Sequence, residues 1–598
     1  MAGDRQMFPV QTTSTRTAGA WQRLPLRRVA VTFVVVSVLL VLLGGVWLAV
    51  RGAVAARLVQ SAQAELAFAR TAFEAEDLPE GADRLARARG DLAQARRATS
   101  DPVWRVAGTA PVLGDDVAAV RAVVASAAGL LEAAEPVAAA AARAAATPGD
   151  GPAAEPSAVL AALLRDPAVA AGLSLTRDRA AAAEVLVTGL AAQELHPLLA
   201  AQVQAYGDAV TQLDAPLHDA TALTGLAPML LGIGEPTDLL VVVQTPAEVR
   251  SLGGLAGLVL VVRAQDGRLE VVETYSGSTV PALDEPVLST PELEEHYALL
   301  GDRAGRFLVN ATMVPDGALA SQLLVAAHVR RGGMAPDAVV LTDLSVLTRL
   351  LDVTGPVTLA DGTVLDAGSS DALLQHGVYV TEPDPLAQDA FFAATAVAVV
   401  TALSAPTIDA VGLGRALVAE AGDGKLLLYS PDADTQQLVL DLGMAGDLLS
   451  DPTSVGVFLN DGVGSKMQYF LDAEVSVAQG EGGRGLLRLD LRSTAVPGAP
   501  LPDYVAGRVA ELGLERGGQR VQVLVEGPVG DGPSRWTVDG VPVLVGSGVI
   551  GGRGAGVLSV DLAPGQQVRV EVELSDGRGL HVDQLVTTPS VSVLPPSG

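Results

Sequence analysis

The 598-residue chain contains no cysteine, which excludes disulfides, thiol catalysis, iron–sulfur clusters and thiolate zinc sites together. Aromatic residues make up only 3%, leaving few rings to stack on sugars or single-stranded nucleic acid. Lysine is nearly missing: Lys425 and Lys466 are the only two, and arginine supplies the other positive charges. The histidines (His196, His218, His296, His328, His376, His581) are scattered, with no i,i+4 pair and no H-E-x-x-H. No G-x-S-x-G elbow occurs. A formal charge of −28 argues against a nucleic-acid partner, because phosphate neutralisation needs a basic face. With 49% hydrophobic and 18% charged residues, the chain is no acidic disordered tail either.

One long apolar run is present. Val29 to Val50 is uncharged for 22 residues, enough to cross a hydrocarbon core as a helix. Residues 1–28 carry five arginines against Asp4, so the positive-inside rule places this short N-terminus in the cytoplasm and the acidic bulk outside. Arg51 and Arg57 weaken that asymmetry. The rival reading is a cleaved signal peptide with Ala53-Val54-Ala55 as its small-residue site. The run exceeds the usual ~7–15 residues of such a segment, which favours a retained anchor.

Residues 51–231 read as helices outside the membrane. Leu58, Ala62, Leu66, Ala69 and Phe73 share one helical face. Pro102 and Pro111 to Gly114 punctuate the region before an alanine-rich helix, and residues 147–156 form a Pro/Gly/Ala linker. The expected picture is a stalk of helical hairpins.

From residue 232 the periodicity changes. Leu239–Gln244, Leu255–Val262 and Leu269–Tyr275 read as strands, the last two joined at Gln265-Asp266-Gly267-Arg268, a hairpin turn. Ala338–Thr342 reads as a strand, Leu344–Leu351 as a helix and Val357–Leu359 as a strand. Such alternation predicts an α/β core with a mixed sheet over 232–405. Ala390–Ala405 is uncharged but too short for a second span, so a buried core helix is expected. Residues 406–490 are expected to complete the core, mostly as strands. Residues 491–598 read as an antiparallel β-sandwich. The fold class is thus α+β and multidomain, with one N-terminal transmembrane helix over 29–50.

Two segments carry polar residues in suggestive places. Gln244 to Gly254 sets Glu248 and Arg250 beside Gly253-Gly254, where backbone can approach a ligand or another strand closely. Val309 to Asp316 is a polar loop, with Asn310, ahead of a helix starting near Ala318. Against a ligand site stands the plainer alternative that Glu248 and Arg250 pair internally and Asp316 caps the helix. Gly462-Val463-Gly464-Ser465-Lys466 has the flavour of a phosphate loop but lacks the G-x-x-x-x-G-K-[ST] spacing. Gly548 to Gly556 lacks a dinucleotide site's strand-to-helix context.

Here a family resemblance enters. Leu239 to Gly254, with its strand and Glu-x-Arg-x-x-Gly-Gly loop, resembles the domain-of-unknown-function family 4012 (DUF4012), found in envelope-associated bacterial proteins. Asn310 with Pro315-Asp316 is similar to that family's Asn-rich loop. Pro336 through Asp343, then Leu350-Leu351 and Thr354-Gly355-Pro356-Val357, looks like its strand–helix–Thr-Gly-Pro-Val stretch. Tyr429-Ser430, Val455 to Asn460 and Ser465 to Met467, with Asp101 to Trp104 and Ala110 to Gly114, resemble features of actinobacterial members. Ser251-Leu252 stands where Pro-Thr is usual, and Leu255-Ala256 replaces an aromatic. A weaker similarity is to LytR-CpsA-Psr ligases, which share the anchor, the exported α/β core and the Val339 to Val357 stretch.

The resemblance implies location more than chemistry. The expectation is a single-pass membrane protein, bulk extracytoplasmic, acting as a scaffold or interaction module in cell-envelope or surface-polysaccharide assembly. Its partners would be the membrane, through 29–50, and envelope proteins or lipid-linked glycans. Candidate ligand-binding residues are Glu248, Arg250, Gly253, Gly254, Asn310, Asp316 and Asp343, with no cofactor and no metal. The alternative implied by the ligase similarity is a metal-dependent phosphotransferase attaching lipid-linked glycopolymers. It would need Mg or Mn and would gather Arg250, Arg263, Asp316 and Asp343 around a pyrophosphate.

Overall fold

The computed structural model describes residues 26–75, 77–111, 113–146, 162–382, 384–403, 410–446, 449, 451–479, 485–574 and 585–594. Residues 1–25 of the expected cytoplasmic segment, the expected linker at 147–156 and His581 lie outside them. The chain divides into two compact units. One comprises Met1–Phe68, Arg84–Leu131 and Ala183–Asp208, the other Ala69–Asp83, Glu132–Ala182 and Ala209–Gly598.

Helices come first: α1 (Leu26–Glu74), α2 (Leu78–Thr99), α3 (Pro102–Ala107), α4 (Gly114–Ala146), α5 (Pro167–Ala191) and α6 (Pro197–Leu231). Helix α1 has 49 residues, about 70 Å at 1.5 Å per residue, so the apolar run continues without a break into the polar region. Ala53-Val54-Ala55 falls inside this helix, and Ala55 is buried. Within the first unit the contacts use small residues at heptad spacing. Ala55 meets Ala95 and Val124, and one heptad on Ala62 meets Ala88 and Ala128. Alanine stripes let helix axes approach closely without costing side-chain entropy. Asp101 caps α3 by accepting from the Val103 and Trp104 amides, both at 3.0 Å.

Among the described residues three helices are long and apolar enough to cross a membrane: Val36–Glu74, Gly114–Ala146 and Pro385–Leu403. The first is almost wholly exposed, 6% of its most apolar window being buried, as an anchor would be. The third is longer than the 16-residue run Ala390–Ala405 suggests, long enough to span, yet it packs on a sheet through Phe392, Ala396, Val399 and Val400.

The second unit is built on three sheets. The first contains β1 (Thr237–Arg250), β2 (Gly253–Gln265), β3 (Arg268–Ser276), β4 (Ala338–Asp343) and β7 (Leu427–Tyr429), in the order β3-β2-β1-β4-β7. A separate hairpin pairs β5 (Val357–Thr358) with β6 (Val364–Leu365). Pairing is antiparallel except between β1 and β4, so the sheet is mixed. The β2–β3 turn places Asp266 at φ 50° and Gly267 at φ 85°, the two positive angles a two-residue hairpin with strand twist requires.

Helices cover both faces of this sheet, and strand alternation decides which residue meets which. Leu239, Val241 and Val243 face α9 (Leu344–Thr354) and α10 (Pro385–Leu403). Leu240 and Val242 face α7 (Pro291–Leu300) and α8 (Gly317–Arg330). Helices α11 (Ala410–Gly422) and α12 (Ala433–Asp441) flank β7.

The remaining strands are β8 (Val455–Asp461), β9 (Leu471–Gln479), β10 (Gly485–Ser493), β11 (Gln519–Val529), β12 (Pro533–Val538), β13 (Val541–Pro542), β14 (Gly546–Ile550), β15 (Arg553–Leu562), β16 (Gln567–Leu574), β17 (Leu585–Thr587) and β18 (Ser592–Val593). They form two sheets, β13-β12-β16-β10-β9-β18 and β14-β15-β11-β8-β17. One core joins them: Leu487, Leu489, Val570 and Val572 from the first meet Val457, Leu459, Val523 and Val525 from the second. Strands β8 to β10 therefore serve these facing sheets, whereas α11, β7 and α12 complete the first sheet. The described part of residues 406–490 thus divides between two cores, and before Val455 it contains the helices α11 and α12 besides β7. Strand β13 is only two residues long, and Leu544 beyond it is fully exposed.

Candidate functional site

Strand β1 leaves its ladder between Thr245 and Val249, then pairs again up to Arg250 opposite Gly253. Pro246 opens this bulge, the setting in which a strand tolerates a residue with no amide donor. The extra residues aim Glu248 and Arg250 to one side. Gly253 closes the turn at φ 122°, and Gly254 lies so near Thr245 that a Cβ would sit 2.5 Å from its carbonyl oxygen. Both glycines are backbone requirements of the hairpin.

Glu248 and Arg250 are 7% and 3% exposed, so their charges must be matched internally. Arg250 Nη2 donates to Glu248 Oε1 at 2.5 Å and to Asn310 Oδ1 at 2.9 Å, and its Nη1 donates to the Val249 carbonyl at 2.8 Å. On the other side Lys466 Nζ donates to Glu248 Oε2 at 2.8 Å. One carboxylate is thus held between two cations. Burial alone would raise the Glu248 carboxyl, but the charges of Lys466 and Arg250 pull it down to about 2. Burial opposes the Lys466 charge too, and Glu248 outweighs it, leaving the amine above its ordinary range.

The Gly462–Lys466 loop points its amides inward. Asp461 Oδ2 accepts from the Val463 and Ser465 amides at 3.1 and 3.2 Å and from Gly464 N, while its Oδ1 accepts from Ser465 Oγ at 2.9 Å. The donors that a phosphate would want are taken by the chain's own aspartate. Burial and the Glu248 charge push the Asp461 carboxyl up, against Arg250 and these donors. Lys466 and Asp461 are the partners that motif reading of the Glu248 loop does not find. The sequence signals are the glycine-rich setting of Gly462–Lys466 and the rarity of lysine, and neither points to Glu248.

The turn is tied down further. Ser251 N donates to Asn460 Oδ1 at 3.1 Å, and Asn460 Nδ2 donates to Ser251 Oγ at 2.9 Å. Thr588 Oγ1 donates to the Ser251 carbonyl at 3.1 Å and accepts from Leu459 N at 2.9 Å. Gly254 N donates to Gln244 Oε1 at 2.9 Å.

Of the candidate residues, Glu248, Arg250 and Asn310 converge in this buried network. Asp316 caps α8 by accepting from Leu319 N at 2.8 Å. Asp343 caps α9, accepting from Val346 N at 3.0 Å and Ser345 Oγ at 2.7 Å. Arg263 makes a two-pronged surface pair with Asp238, both contacts at 2.9 Å. Arg250, Arg263, Asp316 and Asp343 therefore do not surround one point.

Gly253 and Asp343 do share a polar cleft of about 420 Å³ at the carboxyl ends of β1 and β4, with Ser345, Arg349, Asp371 and Lys425. In open α/β sheets this end is where ligands commonly sit. Arg349 Nε pairs there with the buried Glu420 Oε1 at 3.0 Å, and burial, outweighing Arg349, raises that carboxyl. No cluster of three or more metal-ligating side chains occurs among the described residues.

Residues 234–379, from the start of β1 to the helical turn ending near Tyr379, match the family model described as protein of unknown function (DUF4012). No curated protein and no solved structure matches the chain.

Proposed function

We propose, taking residues 234–379 as a DUF4012 domain, that this chain is a single-pass extracytoplasmic protein acting as a scaffold or interaction module in cell-envelope or surface-polysaccharide assembly. The observation that carries this reading is the fate of the conspicuous charges. Glu248, Arg250 and Lys466 are buried, mutually paired and spent on joining the first sheet to β8 and the loop beyond it. A transfer enzyme built on Arg250 would need that guanidinium open to a pyrophosphate, whereas here its donors are committed. The apolar, exposed start of α1 supports attachment to a membrane.

The test is deletion of the gene combined with affinity purification of the full chain from detergent-solubilised membranes. A changed envelope glycopolymer profile, with specific envelope proteins co-purifying, is the expected result. An unchanged profile and no co-purifying envelope protein would refute the proposal.

A further inference from the structure

We infer that the space between the first sheet and helices α9 and α11 is a chamber for one hydrocarbon chain of a membrane amphiphile. This goes beyond the scaffold reading and does not depend on it.

The chamber is an apolar cavity of about 250 Å³. Its walls come from several elements, represented by Leu230, Val241, Leu347, Val400, Leu417 and Leu428. No aromatic ring lines it, so it offers no platform for a flat ligand and suits a flexible aliphatic one. The space is not sealed, so a flexible chain can enter it from outside, and its lining is almost wholly aliphatic. A cavity of ~150 Å³ holds benzene, so this one has room for a chain of about ten carbons.

A second observation points the same way. Thr342 is the one hydroxyl in the lining, is 4% exposed, and has no hydrogen-bond partner for its Oγ1. Buried hydroxyls are normally satisfied, and an ester or carboxyl oxygen entering beside β4 would satisfy this one.

The polar cleft lies across the wall from the cavity. Five pairs of consecutive residues divide between the two spaces, the first of each pair lining the cavity: Thr342 and Asp343, Val346 and Ser345, Leu347 and Thr348, Leu350 and Arg349, Leu426 and Lys425. The cavity and the cleft are thus separated by the same short backbone stretches, and Thr342, which faces the cavity, is the group that would meet the amphiphile's polar oxygen. The chain's own anchor helix keeps the protein where such amphiphiles are abundant.

The experiment uses the full chain in phosphatidylcholine nanodiscs and two photoactivatable probes. One is dodecanoic acid with a terminal diazirine, the other a phosphatidylcholine carrying that same acyl chain. After irradiation, labelled peptides are mapped by mass spectrometry. The expected result is labelling of α9, α11 or β7 peptides by at least one probe, besides labelling of α1, which contacts the bilayer directly. Labelling by the free acid alone identifies a free fatty acid as the ligand, and by the phospholipid a bilayer lipid. Leu417→Trp and Val400→Phe fill the cavity from different walls, and each should cut chamber labelling at least tenfold while α1 labelling and the melting temperature hold. Two variants guard against one failing to fold. Labelling confined to α1 with both probes, or equal chamber labelling in a folded filled variant, overturns the inference.

Discussion

Lys466 Nζ lies 2.8 Å from Glu248 Oε2, although 218 residues separate the two in sequence. This contact, with Arg250 on the opposite carboxylate oxygen, fastens the β1–β2 turn to the loop that follows β8. Deleting one member of such a buried set strands the others, and the loss should be about 3–5 kcal/mol. Glu248→Gln and Lys466→Met are each expected to lower stability by that order in urea titrations. The double variant should lose less than the sum of the singles. Additive losses would mean that the pair does not act as a unit.

Acid should loosen the same junction. The Glu248 carboxyl is at about 2 in the folded chain against an ordinary 4.5, so its charge stabilises the fold above 4.5 and that contribution drains away as pH falls towards 2. The total is about 3 kcal/mol. His296 adds to this loss earlier. Burial outweighs the nearby Glu295 and takes its imidazole down to about 4 from 6.5, so stability falls as pH drops through that interval. Melting temperatures at pH 7, 5 and 3 should decline stepwise, and His296→Leu should flatten the first step. A profile identical to the wild type would refute the His296 assignment.

Alkali should act through a different group. Glu526, on β11, is buried with one carboxylate oxygen unpartnered, and burial, reinforced by Asp316 and opposed by Arg553, pushes it up to about 8. A carboxyl whose folded value is raised binds its proton more tightly when folded. Its contribution is therefore present below 4.5 and lost as pH rises to 8. Glu526→Gln should be more stable than the wild type at pH 9, and the gap should close at pH 5. Equal behaviour at pH 9 would show that Glu526 ionises freely.

Topology can be read with a probe chemistry the sequence leaves clear. Because the chain has no cysteine, a single introduced thiol reports its own side of the membrane. Ser534→Cys, at an exposed position on β12, should react with a membrane-impermeant maleimide on intact cells. Ser14→Cys should react only after permeabilisation. The reverse pattern would invert the proposed orientation.

What the sequence discloses and what it hides divide by range of interaction. The Asp266-Gly267 turn and the cap at Asp316 rest on neighbours within a few residues. Each leaves a local signature in residue type or periodicity. The distant partners do not: nothing near Lys466 marks it as the neighbour of Glu248, and nothing near Asn310 marks it as the acceptor for Arg250. Residues 455–493 mislead for a related reason. Their alternation fixes them as strands but is silent on which sheet they join, since Leu459 and Leu489 would suit any apolar core. The α1 face through Leu58, Ala62 and Leu66 shows in the periodicity, but its pairing with Ala88 and Ala128 does not.

Thr588 sets a schedule for assembly. Its hydroxyl bonds the Ser251 carbonyl from 337 residues downstream, and β17 beside it lies against β8. A chain made from its N-terminus delivers the β1–β2 hairpin long before this clasp arrives. Until then the turn lacks its threonine, although Arg250 and then Lys466 have already matched the Glu248 charge. Removal of residues 585–594 would therefore be felt at Ser251, whose carbonyl would lose the Thr588 hydroxyl.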